Sequence, residues 1–263
     1  MNGFKPFPTH VLHISSVMIL SINNVCKRFD GNEILSSCCL EIEQGKISVL
    51  IGPNGAGKTT LFDIITGFLK PDRGQIFLQE KDITNKPSYQ IARLGIARTF
   101  QKVRLFTYLT MLDHLLMAQL EQDDFLYKNL IPRKDNPAHI EKANAMMGEL
   151  RVGKDLYATL VTELSYGQRK LLSLAMAMIK PHRLLLLDEP VAGVNQTVRE
   201  TIIEQIKKEA KRGDTVLLIE HDMHFISAIA DKVFVLDGGS VIAEGSPEEI
   251  KQNKRVLKAY LGD

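Results

Sequence analysis

Nine consecutive residues limit this chain more than any other stretch: Gly52-Pro53-Asn54-Gly55-Ala56-Gly57-Lys58-Thr59-Thr60, which follow a β-branched apolar run at 47–51 and lead into an apolar-periodic run at 61–69. The glycines let successive backbone N–H groups turn inward around a polyphosphate, and the helix that follows adds the positive end of its dipole. In that frame the Lys58 ammonium reaches the β/γ-phosphates and the Thr59 hydroxyl ligates Mg²⁺. The expected fold is therefore α/β, with a phosphate loop joining a strand to a helix.

The 263 residues, 44% hydrophobic and 24% charged, are enough for one large α/β domain with a subdomain. A net charge of +2 gives no basic footprint, so nucleic acid is not an expected partner. Cys26, Cys38 and Cys39 form no paired spacing and suit a reducing compartment better than a disulfide framework. The longest apolar runs, 171–179 and 184–187, fall short of the roughly 20 residues that span a bilayer. Residues 1–17, with Pro6, Pro8, His10 and His13, show no period and lack the long apolar stretch of a signal peptide. They are expected to be a flexible extension ahead of a domain at 18–263.

Strand patterns at 19–29 and 33–43 flank an Asp30-Gly31-Asn32 turn, and 46–51 enters the phosphate loop. A second strand-rich piece covers 74–78 and 96–99. The pattern is mostly helical from about 110 to 180, broken by a polar, proline-containing stretch at 123–137. Strands return at 184–187, 215–219 and 232–236, separated by helical segments at 196–212 and 222–230.

Two further motifs carry chemistry. The run Leu184-Leu185-Leu186-Leu187 ends in Asp188-Glu189-Pro190, which places two carboxylates at the C-terminal edge of a parallel sheet, where such sheets bind ligands. Asp188 is expected to hold Mg²⁺, directly or through water, and Glu189 to orient and polarise the attacking water. An acidic pair at a strand end is often only a solvated turn; a phosphate loop in the same chain favours the functional reading. The third motif, Leu164-Ser165-Tyr166-Gly167-Gln168, opens a helix running to 179, and Ser165 is by type a good N-cap.

Taken together, these three motifs resemble the ATP-binding-cassette ATPases, whose signature is usually Leu-Ser-Gly-Gly-Gln; Tyr166 stands at its third position. The resemblance covers about residues 19–245 and implies a P-loop NTPase core with an antiparallel β-subdomain and an inserted helical subdomain at about 105–180. It makes Gln101 the glutamine of the loop between the Mg²⁺ site and a transmembrane partner, and a Mg²⁺ ligand with Thr59 and Asp188. It makes His221 the switch histidine that contacts the γ-phosphate. Phe29 falls where the family stacks an aromatic on adenine; the alternative is an ordinary core Phe. His224, three residues after His221, invites a metal reading but lacks a third ligand. Asn195, in Ala192-Gly193-Val194-Asn195, stands where the family usually has Asp.

Arg98-Thr99-Phe100-Gln101-Lys102-Val103-Arg104-Leu105-Phe106, Glu220-His221-Asp222-Met223 and the tail ending Ala259-Tyr260-Leu261-Gly262-Asp263 resemble more narrowly the ATPase subunits of branched-chain (hydrophobic) amino acid importers, with urea importers as near relatives. Such subunits also tend to carry a polar insert like that around 127–137; the alternative is a solvated loop without a partner. The resemblance implies an ATPase on the cytoplasmic face of the inner membrane, working with transmembrane permease subunits and, indirectly, a substrate-binding protein. It also implies a dimer with a second cassette ATPase, in which Ser165, Tyr166, Gly167 and Gln168 complete the ATP site of the opposite subunit. Lipid or lipopolysaccharide exporter ATPases share the Tyr-Leu-Gly-acid tail and stay open as an alternative. Soluble cassette ATPases normally carry coiled coils or tandem cassettes, and a small-molecule kinase leaves the Ser165 motif unexplained.

Overall fold

The alternating stretches ahead of the phosphate loop fold, in the computed structural model, as the hairpin they predict: β1 (Met18–Phe29) runs antiparallel to β2 (Asn32–Glu43). Asp30 and Gly31 take φ of 48° and 84°, the successive left-handed residues that a tight hairpin turn requires. The structure describes residues 18–120 and 136–256; the expected extension at 1–17, most of the polar insert and the last residues of the tail lie outside them.

Two sheets organise these residues. β4 (Arg73–Leu78) and β5 (Lys81–Asp82) extend the hairpin into an antiparallel sheet of order β2-β1-β4-β5. The second sheet has order β10-β9-β3-β8-β7-β6, built from β3 (Ile47–Ile51), β6 (Ile96–Arg98), β7 (Leu184–Asp188), β8 (Thr215–Ile219), β9 (Lys232–Asp237) and β10 (Ser240–Gly245). Its pairs are parallel except β9 with β10. Every residue of β3, β7 and β8 is buried, which is why these strands read as unbroken apolar runs.

The two-residue period of a strand divides the core. Val49, Ile51, Leu185, Leu187, Val216 and Leu218 face one side, toward α3 (Met111–Ala118), α4 (Pro137–Glu149), α5 (Tyr166–Met178) and α6 (Gln196–Lys211). Leu50, Leu184, Leu186, Leu217 and Ile219 face the other, toward α1 (Lys58–Ile65) and the antiparallel sheet. Burying each such side chain stabilises the fold by about 1.5–3 kcal/mol. The same strands deliver both the phosphate loop and Asp188 to one edge.

Four sequence expectations need correction. The stretches 74–78 and 96–99 are not one piece: β4 joins the antiparallel sheet and β6 the parallel one. The helix after the phosphate loop does not run to 69. It stops at Ile65, where Thr66 Oγ1 donates back to Phe62 O at 2.7 Å and Gly67 takes φ 72°. The hairpin of β9 and β10, turning at Gly238 and Gly239, was not expected as a pair. Neither were the short helices α2 (Ser88–Arg93) and α8 (Pro247–Gln252), whereas α7 (Met223–Ile229) forms within the helical segment expected at 222–230.

Candidate active site

The phosphate loop is shaped by what cannot be added to it. A Cβ on Gly52 would lie 2.1 Å from Leu236 O, and one on Gly57, at φ 99°, would lie 2.8 Å from Ile34 O. Gly57 is the N-cap of α1 and supplies no side-chain bond, so the first N–H groups of the helix face the loop without a side-chain cap. That cradle fits an anion at a helix N-terminus. Lys58 Nζ donates to Gly52 O at 2.7 Å and Pro53 O at 2.9 Å, folding the ammonium over the loop. Burial lowers its pKa, while Glu189 and Asp188 pull it the other way. Thr59 is exposed on the first turn of α1.

Across from the loop, Asp188 ends β7 and is 2% exposed. Its backbone N–H donates to Thr99 Oγ1 at 3.3 Å, and Arg98 lies 3.8 Å from its carboxylate. Burial pushes the Asp188 carboxyl up to about 6; Arg98 opposes that and Glu189 adds to it. Arg98 is itself buried, 2.6 Å from Asp63 and ringed by Phe62, Phe68 and Phe100. It ties α1, β6 and β7 together beneath the site.

Glu189 takes φ 47°, the left-handed region that a non-glycine residue rarely enters. Its backbone is held there from two sides: its N–H donates to Ile219 O at 3.0 Å, and its carbonyl accepts from Lys170 Nζ at 2.7 Å. The carboxylate lies between Gln101, whose Nε2 donates to it at 3.0 Å, and His221, whose Nδ1 is 4.0 Å away. Buried Glu220 accepts from the backbone N–H groups of Val191 at 3.3 Å and His221 at 3.1 Å, fixing where the His221 ring starts. Burial raises the Glu220 pKa, against those two bonds.

Lys58, Gln101, Asp188, Glu189 and His221 are thus brought into one electrostatic neighbourhood. Ser165 and Gln168 form a second cluster, capping α5 reciprocally: Gln168 N–H donates to Ser165 Oγ at 3.3 Å and Ser165 N–H to Gln168 Oε1 at 2.7 Å. Gly167 leaves room for Val198 of α6, and the half-exposed Tyr166 ring lies over Gly193, where a Cβ would meet it at 3.2 Å. Asn195 caps α6 by accepting from Val198 N–H at 3.0 Å, a role its side-chain oxygen fills as an Asp would. Phe29 is 41% exposed at the hairpin end with Lys27 Nζ 5.5 Å above its ring, which contradicts the core alternative. His224 is exposed.

Sequence reasoning missed Arg98, Thr99, Lys170 and Glu220 as supports of this site. The signal was present: each is a polar residue in or beside an apolar run, a placement that costs free energy without a partner. Chemically, the arrangement offers a phosphate cradle, a cation over it, and a carboxylate held rigidly beside an amide and an imidazole.

The sequence and fold also match known proteins. A family model described as "ABC transporter" matches residues 35–192, and a second, described as "Branched-chain amino acid ATP-binding cassette transporter", matches 240–263. The probable branched-chain amino acid transport ATP-binding protein LivG of Archaeoglobus fulgidus is 39% identical over 93% of this chain and 95% of its own. LivG of Escherichia coli K12, a high-affinity branched-chain amino acid transport ATP-binding protein, is 38% identical over 93% of this chain and 98% of its own. Among solved structures, a nucleotide-free ATP-binding cassette from an ABC transporter superposes with a TM-score of 0.83 at 33% identity, covering 94% of this chain and all of that one. The ADP conformation of an ATP-binding cassette of an ABC transporter superposes with a TM-score of 0.82 at 32% identity, over the same shares.

Proposed function

This chain belongs to the ABC transporter family of ATP-binding cassettes, and from that premise we propose that it binds and hydrolyses ATP to power import of branched-chain, hydrophobic amino acids. The substrate class rests on the two LivG relatives and on the family match at the C-terminal end. The hydrolytic assignment rests on one observation above the others: the Glu189 carboxylate, on a strained backbone, bracketed by Gln101 and His221.

In this reading the triphosphate lies in the cradle at 52–60, accepting from loop and helix N–H groups, while the Lys58 ammonium leaves the carbonyls of Gly52 and Pro53 to pair with the β/γ-phosphates. Phe29 offers its exposed ring to the base. Thr59 and Asp188, with Gln101, are the groups to hold Mg²⁺, a hydroxyl, a carboxylate and an amide oxygen being the hard ligands that ion takes. The ion, when bound, neutralises charge on the β- and γ-phosphate oxygens. Glu189 orients and polarises the attacking water, and His221 contacts the γ-phosphate once it is present. Among the described residues no helix is long and apolar enough to cross a membrane, so transport is assigned to permease subunits on which this chain docks at the cytoplasmic face. A second cassette supplies the Ser165 motif, and a substrate-binding protein delivers the cargo.

The test is uptake of radiolabelled leucine by vesicles carrying the co-purified permease subunits and this chain. Lys58→Ala is expected to abolish ATP-driven uptake and to lower ATP affinity measured by calorimetry. Equal affinity in the two proteins overturns the loop assignment; ATPase activity that leucine and its binding protein never stimulate overturns the substrate class.

A further inference from the structure

At the edge of the parallel sheet opposite the phosphate loop, a groove of about 440 Å³ opens between α4, the end of α5 and the last turn of α6. Three potential ligand atoms gather in its wall, on His182 at the foot of β7, Glu209 near the end of α6, and Asp214 at the foot of β8. All lie within 4.8 Å of one another. We propose that these three residues form a divalent transition-metal site of the zinc class.

The argument starts from the ring. His182 Nδ1 lies 2.9 Å from Lys180 O, and a carbonyl only accepts, so Nδ1 carries the hydrogen. In the neutral imidazole Nε2 is then a lone pair, in a side chain 4% exposed, and it makes no hydrogen bond. It faces Glu209 Oε2 at 3.4 Å. Charge-assisted hydrogen bonds are shorter, about 2.7–2.9 Å. By contrast, ligand atoms on a tetrahedral ion with bonds of about 2.0–2.1 Å stand about 3.3–3.4 Å apart. A ligating histidine ordinarily donates its other ring N–H to a carbonyl or carboxylate, as Nδ1 does here.

The carboxylates fit the same reading. Glu209 Oε1 is occupied by Arg212 and Gln205, both at 2.9 Å, which leaves Oε2 turned to the ring. Asp214 adds a second carboxylate whose pKa is raised by burial, with Glu209 reinforcing that against His182. An imidazole lone pair and two carboxylates have no donor among them, so a cation or a proton has to sit between. One imidazole with carboxylates favours a transition metal over Mg²⁺ or Ca²⁺. The competitor is a proton on His182, since the carboxylates raise that imidazole's pKa although burial works against it. Bound there, an ion ties the feet of β7 and β8 to the turn of α6 whose Arg212 also holds Glu149 of α4 at 3.1 Å.

Zinc chloride titrated calorimetrically into chelator-treated, untagged, nucleotide-free protein tests this independently of ATP hydrolysis. Wild type is expected to bind one more equivalent than His182→Gln, or to bind it more than about tenfold tighter, given that even outer-shell partners command 10–100-fold. Asp214→Asn serves as the second variant, and circular dichroism checks that each folds. Cobalt chloride should give d–d bands without a thiolate charge-transfer band, and the Cys26→Ser, Cys38→Ser, Cys39→Ser triple variant should keep the site. Identical isotherms for wild type and both variants, loss of binding in the cysteine variant, or no zinc binding by wild type overturns the proposal and leaves His182 as a protonated ion-pair partner.

Discussion

The role proposed for Glu189 puts the hydrolytic chemistry in one side chain, and its neighbours make that role separable from its structure. Glu189→Gln keeps the size of the side chain and lets Gln101 pair with it as an amide, so the left-handed turn at φ 47° and its two backbone bonds should persist. ATP hydrolysis is expected to fall by roughly 10²–10⁴, the range of a general base, with ATP affinity held. Unchanged turnover in the assembled transporter removes Glu189 from that role. Asp188 supplies a pH test. Burial raises its nucleotide-free pKa from 3.8 to about 6, so the carboxylate proposed to hold Mg²⁺ forms as pH rises through that value and is lost as pH falls through it. Mg²⁺-dependent tightening of ATP binding should therefore level off well above pH 6 and decline as pH falls through about 6. Asp188→Asn should remove both the tightening and the pH step; a step that survives in that variant belongs to another group.

At the scale of elements, α5 reaches the residue just after β7 through Lys170 Nζ, which donates to Glu189 O at 2.7 Å, with Lys170 5% exposed. Lys170→Met fills the same space but leaves the Glu189 carbonyl without its donor, at about 1–3 kcal/mol. We expect a melting temperature lowered by roughly 2–10 °C. Turnover should drop roughly tenfold or more at unchanged KM, because the backbone that aims Glu189 is freed. Equal losses of stability and turnover would make Lys170 merely structural. This bond also marks the limit of sequence reading. β3, β7 and β8 were legible because they are buried on both faces, and the cap at Ser165 because residue type declares it. α2, six residues long behind Pro87, is too short to show a period, and β10 is half-buried apart from the exposed Glu244, so neither a two-residue nor an apolar signal marks it. That β4 and β6 belong to different sheets, and that Lys170 reaches Glu189, are facts of long-range packing, on which local pattern is silent.

For the whole molecule, the question is why one chain carries two clusters, the loop with Glu189 and the α5 terminus with Ser165, that share no hydrogen bond. If each completes the other's site in a facing subunit, ATP favours the closed pair only through its differential affinity for that state. The structure makes this testable, because Ser165 already has a local job as the N-cap of α5. Ser165→Ala and Ser165→Arg both lose the cap, at about 1 kcal/mol of stability each, but only Arg adds bulk and charge at the facing surface. In a Glu189→Gln background, where bound ATP is not consumed, size-exclusion chromatography with the partner cassette present should show a closed dimer for the parent, a weakened one for Ser165→Ala and none for Ser165→Arg. ATP affinity of the isolated subunit should be equal in all three by calorimetry. A Ser165→Arg protein that dimerises with ATP as readily as Ser165→Ala leaves Ser165 a helix cap alone, and the site at 52–60 would then have to be complete within one chain.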